Sequence, residues 1–112
     1  MKKNLFKNYS YQFDKNEKKV LVTFCKQALK QLQGDSKFYA ESKSFSSILD
    51  KLNSSEETVR LTKEESKKLT MQLKENLKHI NKQMENSWFI KKWLYRSVYN
   101  QYNSLIINHF SD

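Results

Sequence analysis

Proline is absent from this chain, and glycine occurs once, as Gly34. Sandwiches and barrels reverse direction many times and draw on both residues to do so, which argues against an all-β fold. One glycine cannot build a glycine-rich phosphate loop either. The single cysteine, Cys25, excludes an internal disulfide and a cysteine-rich metal site. No apolar run approaches the length that spans a bilayer. Met1-Lys2-Lys3 has the basic character of a signal-peptide start, yet Asn4-Leu5-Phe6-Lys7-Asn8 follows without an apolar stretch. The expectation is a cytoplasmic protein. Only two of the 21 basic residues are Arg. That Lys- and Asn-rich usage reads as an AT-rich, bacterial-like coding bias and says little about function.

What remains is enough to fold. Hydrophobic residues make up 38% of the 112, and 13% are aromatic, more than a disordered tail carries. The length suits one domain with one modest core, residues 1–112, with 1–8 as a candidate flexible lead. The net charge is +9, spread along the chain with a concentration of +4 over residues 15–34. A basic tail would look different.

The pattern predicts a mainly-α, compact four-helix domain with a short two-stranded antiparallel ribbon. Tyr9 to Phe13 alternate aromatic and polar residues, the period of a strand. Asp14 and Glu17 then stand in capping-box positions, predicting a helix over about 15–33 with Leu21, Cys25, Ala28, Leu29 and Leu32 inward. Gly34 sits where a helix end accepts positive φ. Asp35 or Ser36 can cap a second helix to about Leu52, with Phe38, Phe45, Ile48, Leu49 and Leu52 as its stripe. Residues 58–61 have strand character. Thr62 and Glu65 form a second capping box, opening a helix lined by Leu69, Leu73, Leu77, Ile80 and Met84. Glu64 precedes Lys68 by four, the favourable order for an ion pair. Asn86-Ser87 separates this from a last helix over about 88–109. There Trp88, Leu94, Tyr95, Val98, Tyr99, Tyr102, Leu105 and Ile106 share a broad arc, with Phe89, Trp93 and Ile107 off it. An offset of 48 carries Phe13-Asp14 onto Leu61-Thr62 and Leu21, Cys25, Leu29 and Leu32 onto Leu69, Leu73, Leu77 and Ile80. The order β-α-α is thereby read twice, either as a pseudo-repeat or as the ordinary likeness of two capped amphipathic helices.

Residues that could carry catalysis are few. His79 and His109 are 30 positions apart with no second His or Cys one helical turn away, so no zinc set of three or four ligands is expected. Cys25 lies between Leu21 and Leu29 and reads as core. Glu56-Glu57 and Glu64-Glu65 stand before or at helix starts, where capping accounts for them. Glu41 lies near the Phe38–Phe45 stripe, with its carboxylate expected to reach water. No enzyme, cofactor or metal is expected.

One stretch carries a functional expectation. From Trp88 to Tyr99, both tryptophans and two tyrosines are interleaved with Lys91, Lys92 and Arg96. The binding residues expected here are Trp88, Lys91, Lys92, Trp93, Tyr95, Arg96 and Tyr99, with Trp93 the one most exposed. Cations can steer an acidic protein partner, and aromatics supply contact energy. The sequence therefore points to a small non-enzymatic interaction or regulatory protein, homodimerisation being one form of this. The alternative is sequence-nonspecific nucleic-acid binding, in which cations meet phosphates and rings stack on bases. Scarcity of Arg weakens that alternative. An anionic membrane surface is a third, less favoured partner.

Overall fold

A computed structural model describes residues 9–32, 34–86 and 89–110, with only the backbone described at Phe89 and Ile90. The fold is mainly α, as expected, with four α-helices and a two-stranded antiparallel sheet. Residues 1–8, Ser87 and Trp88, on which some expectations fall, lie outside the described residues. The chain divides into two compact units between Lys68 and Leu69.

In the first unit, β1 (Tyr9–Tyr11) pairs with β2 (Val59–Leu61), Tyr9 opposite Leu61 and Tyr11 opposite Val59. Val59 and Leu61 are buried while Arg60 is exposed, the period-two division that strand geometry imposes. The strand stops two residues short of the expected Phe13. To reach Phe13 the ladder would need partners at Thr58 and Glu57, where the chain bends. Phe13 is still buried, its ring stacked 5.3 Å from that of Tyr11.

Helix α1 (Lys15–Leu32) starts at the predicted capping box. The Glu17 amide donates to Asp14 Oδ1 at 2.7 Å, and the Asp14 amide donates to Glu17 Oε1 at 2.9 Å. Two amides that the helix start would leave open are satisfied reciprocally. Gly34 follows the helix with φ +86°, a conformation costly for residues with a Cβ. Leu21 and Cys25 are fully buried. Phe24 is buried too, although the Leu21–Cys25–Leu32 period does not include it; Ala28, Leu29 and Leu32 are half-buried.

The second helix departs from the expected single span. A 3-10 turn (Ser36–Phe38) comes first, capped by Asp35, whose carboxylate accepts from the Lys37 amide at 3.2 Å. Helix α2 (Tyr39–Leu52) follows. The tighter winding of the 3-10 turn moves Phe38 off the stripe it was expected to join, and the ring is 37% exposed. Phe45, Ile48 and Leu52 are buried; α1 packs on α2, and β2 packs against α2 as well.

Helix α3 (Lys63–Glu85) begins in the first unit and continues into the second. Leu69, Leu73 and Ile80 are buried, Leu77 and Met84 half-buried, and Lys67, Lys74, Lys78 and Lys82 exposed. Helix α4 (Phe89–Leu105) runs into a π-helical turn (Ile106–Phe110), reaching one residue beyond the expected end. Tyr102, Leu105, Ile106 and Phe110 are buried.

The element order reads β-α-α twice. Leu21 and Leu69 are both fully buried, and so are Cys25 and Leu73. The halves do not share one offset throughout, however. Asp14 follows the end of β1 by three residues, whereas Thr62 follows the end of β2 directly.

Candidate interaction surface

The two helix-start carboxylates fare differently. Glu65 is 7% exposed and is reached by three donors. The Thr62 amide donates to it at 3.0 Å, Ser47 Oγ at 2.6 Å and Lys51 Nζ at 2.6 Å. Burial alone would raise its pKa. The hydrogen bonds from Lys51, Ser47 and the Thr62 amide, with the Lys51 charge, outweigh that and hold the carboxyl below the usual glutamate range. Its oxygens thus tie the start of α3 to α2. Nearby, Ser66 hydrogen-bonds to Tyr11, joining the same helix start to the ribbon. Glu64, Glu41 and Glu56 enter ion pairs, the first two with Lys68 at 3.6 Å and the third with Arg60 at 3.8 Å. Glu41 is half-buried, as its place beside the stripe suggests.

Cys25 is fully buried, and burial pushes its thiol up to about 12, so at neutral pH it stays a protonated apolar filler. His79 is exposed, and the His109 ring lies edge-on to Phe110 at 6.4 Å. Among the described residues, no group of three His, Cys, Asp or Glu side chains could hold a metal ion. No helix among them is long and apolar enough to cross a membrane.

The basic–aromatic stretch forms the start of α4, and the helix sorts its residues. Lys92, Arg96 and Tyr99 recur at steps of four and three and share one side. Trp93 stands beside them, 68% exposed, and Arg96 is exposed. Lys92 and Tyr99 are half-buried. Lys91 is exposed but lies five residues from Arg96, about 140° around the helix, next to half-buried Tyr95 instead. The expected set is therefore split between two sides of α4, and Trp88 lies outside the described residues. Leu94 was expected on the inward arc but is 53% exposed. It stands eight residues before buried Tyr102, roughly 80° away, at the margin of that arc.

Beyond Arg96 the outer face changes character. Trp93, Ser97, Asn100, Ser104 and Ile107 recur at steps of four and three, and all are exposed. No Asp, Glu, Lys or Arg occurs from Ser97 to Asn108, in a chain that is 29% charged.

Sequence reasoning passed over a second exposed feature, between α1 and α2. Tyr39 is 69% exposed, and Lys43, Ser46 and Asp50 continue its side of α2 at helical spacing. The signal was a polar stripe opposite Phe45 and Ile48, which resembles any solvated helix face. The chain matches no family model, no curated protein and no solved structure.

Proposed function

We propose that this chain is a non-enzymatic interaction protein that binds an acidic protein surface through the start of α4, and that it acts in the cytoplasm, where its lone thiol stays reduced. The observation that supports this most is the exposure of Trp93 at 68% and Leu94 at 53% on a helix that also exposes Lys91 and Arg96. Large apolar side chains beside cations suit a contact in which charge guides encounter and aromatic burial holds the complex. The cations stop at Arg96, whereas a helix tracking a phosphate backbone would carry them further along its length. This favours a protein over nucleic acid.

The uncharged ridge from Trp93 to Ile107 supports a second contact, with another copy of the chain, that does not depend on an acidic partner. Its spacing of four and three is that of a paired-helix seam, though Ser97, Asn100 and Ser104 are polar, and repulsion between two +9 chains is least where neither carries charge.

The test is affinity capture from the native lysate, with and without nuclease, using the wild type, Trp93→Ala and Lys92→Glu/Arg96→Glu. Capture that survives nuclease and drops at least fivefold in both variants, with unchanged helical circular dichroism, supports the reading. Capture abolished by nuclease, or equal in all three proteins, overturns it. Sedimentation over a range of concentrations reads the homodimer separately.

A further inference from the structure

The groove between α1 and α2 lies in the first unit, away in sequence from the α4 surface, and its chemistry is distinct. It is an open surface groove of about 710 Å³. Lys26 and Lys30 line it from α1, one turn apart, while Tyr39, Lys43, Ser46 and Asp50 line it from α2. Four cations elsewhere have acidic partners, Lys51 with Glu65, Lys68 with Glu41 and Glu64, Arg60 with Glu56, and Lys78 with Glu75. Lys26, Lys30 and Lys43 have none among the described residues. The hydroxyls of Tyr39 and Ser46 are without a hydrogen-bond partner in the same set, and the exposed Tyr39 ring supplies an apolar wall with Leu29 beside it.

We propose that this groove docks an acidic peptide segment of a partner protein, with carboxylates on Lys26, Lys30 and Lys43 and an apolar side chain against Tyr39 and Leu29. Charge complementarity selects that occupant. Three ammonium groups without acidic partners line one groove, together with the Tyr39 and Ser46 hydroxyls. Asp50 decides between peptide and nucleic acid. It closes the far end of α2's contribution, where a continuous phosphate backbone would meet a like charge and a peptide can place a Lys or an amide. The distance suits a short segment. Tyr39 to Asp50 is eleven helical steps, about 17 Å, which about five extended residues span. The site stands independently of the α4 reading, because no residue is shared.

The probe is a fluorescent synthetic peptide with Glu and Asp flanking a central Leu and ending in Lys, added to the full ¹⁵N-labelled chain at low salt. Amide shifts are expected at Lys26, Lys30, Tyr39, Lys43 and Ser46. Lys26→Glu/Lys30→Glu/Lys43→Glu should weaken binding at least about tenfold, the sum of three exposed charge pairs. Tyr39→Ala should weaken it about threefold. All four side chains are exposed, so the fold should tolerate both changes, which circular dichroism checks. Asp50→Lys should tighten binding of an all-acidic version of the peptide. The groove-amide shifts should persist in Trp93→Ala, which separates this site from the α4 surface. The proposal is overturned if the groove amides do not move, if charge reversal leaves affinity unchanged, or if a single-stranded oligonucleotide occupies the groove while the peptide does not.

Discussion

Residues 9–68 and residues 69–110 handle their side chains in opposite ways. The first region buries Glu65 and Ser66 along with its apolar residues, and the Glu65 carboxylate is met by Lys51, Ser47 and the Thr62 amide. Its exposed large apolar residues are adjacent, Phe38 and Tyr39. The second region buries Leu69, Leu73, Ile80, Tyr102, Leu105, Ile106 and Phe110, and exposes Met71, Trp93, Leu94 and Ile107. Within the first region alone, two capping boxes make a finer contrast. The Asp14–Glu17 box, with Asp14 exposed and Glu17 half-buried, closes the start of α1. The Thr62–Glu65 box performs the same local task and, because Ser47 and Lys51 reach the same carboxylate, also fixes α2 to α3. A local motif thus sets where a helix begins, while residues remote in sequence set what the motif is worth.

The largest expected effect tests the core of the first region. Phe45→Ala removes a ring that is 1% exposed, and urea unfolding should show a loss of about 4 kcal/mol. Next comes the contrast between boxes. Glu65→Ala removes the acceptor for three donors and should cost about 2–3 kcal/mol. Glu17→Ala should cost about 0.5 kcal/mol, the low end for a cap. Equal losses in the two variants would erase the distinction. Glu65→Gln retains the cap and loses only the charge, and should fall between them.

The same carboxylate sets a pH dependence. Its folded pKa is lowered, so its contribution is fully present above the usual glutamate range and is lost as pH falls through that range toward the folded value. Stability measured downward from neutral pH should fall more steeply for the wild type than for Glu65→Ala. Parallel acid limbs would show that Glu65 titrates alike folded and unfolded. A smaller effect is expected at Gly34, where Ala adds a Cβ that meets nothing within 4 Å but must adopt φ +86°. The cost there should be about 1 kcal/mol, and less for Asn.

These contrasts also mark what was legible in the sequence. Both boxes were readable because each spans four residues and obeys backbone geometry alone. The ribbon was readable because Tyr9-Ser10-Tyr11 and Val59-Arg60-Leu61 alternate, and two short strands satisfy their backbone groups by pairing. The Glu65 clamp was not, since Ser47 and Lys51 reach it only through the packing of α2. Phe38 was misplaced because a 3-10 turn shifts the period, and Leu94 because a broad arc has no sharp edge. Trp93 stood off the arc in the sequence and is exposed in the fold. The Lys26–Lys30–Lys43 cleft was invisible, because cations on two separate helices converge only once α1 lies on α2.

If the exposed apolar residues of α4 are held for contact, as proposed, they contribute little to the fold. Urea unfolding of the double variant Trp93→Ser/Leu94→Ser, at a concentration where the chain is monomeric, tests this directly. Stability should stay within about 0.5 kcal/mol of the wild type. A loss above about 2 kcal/mol would contradict it, placing those side chains in the packed interior.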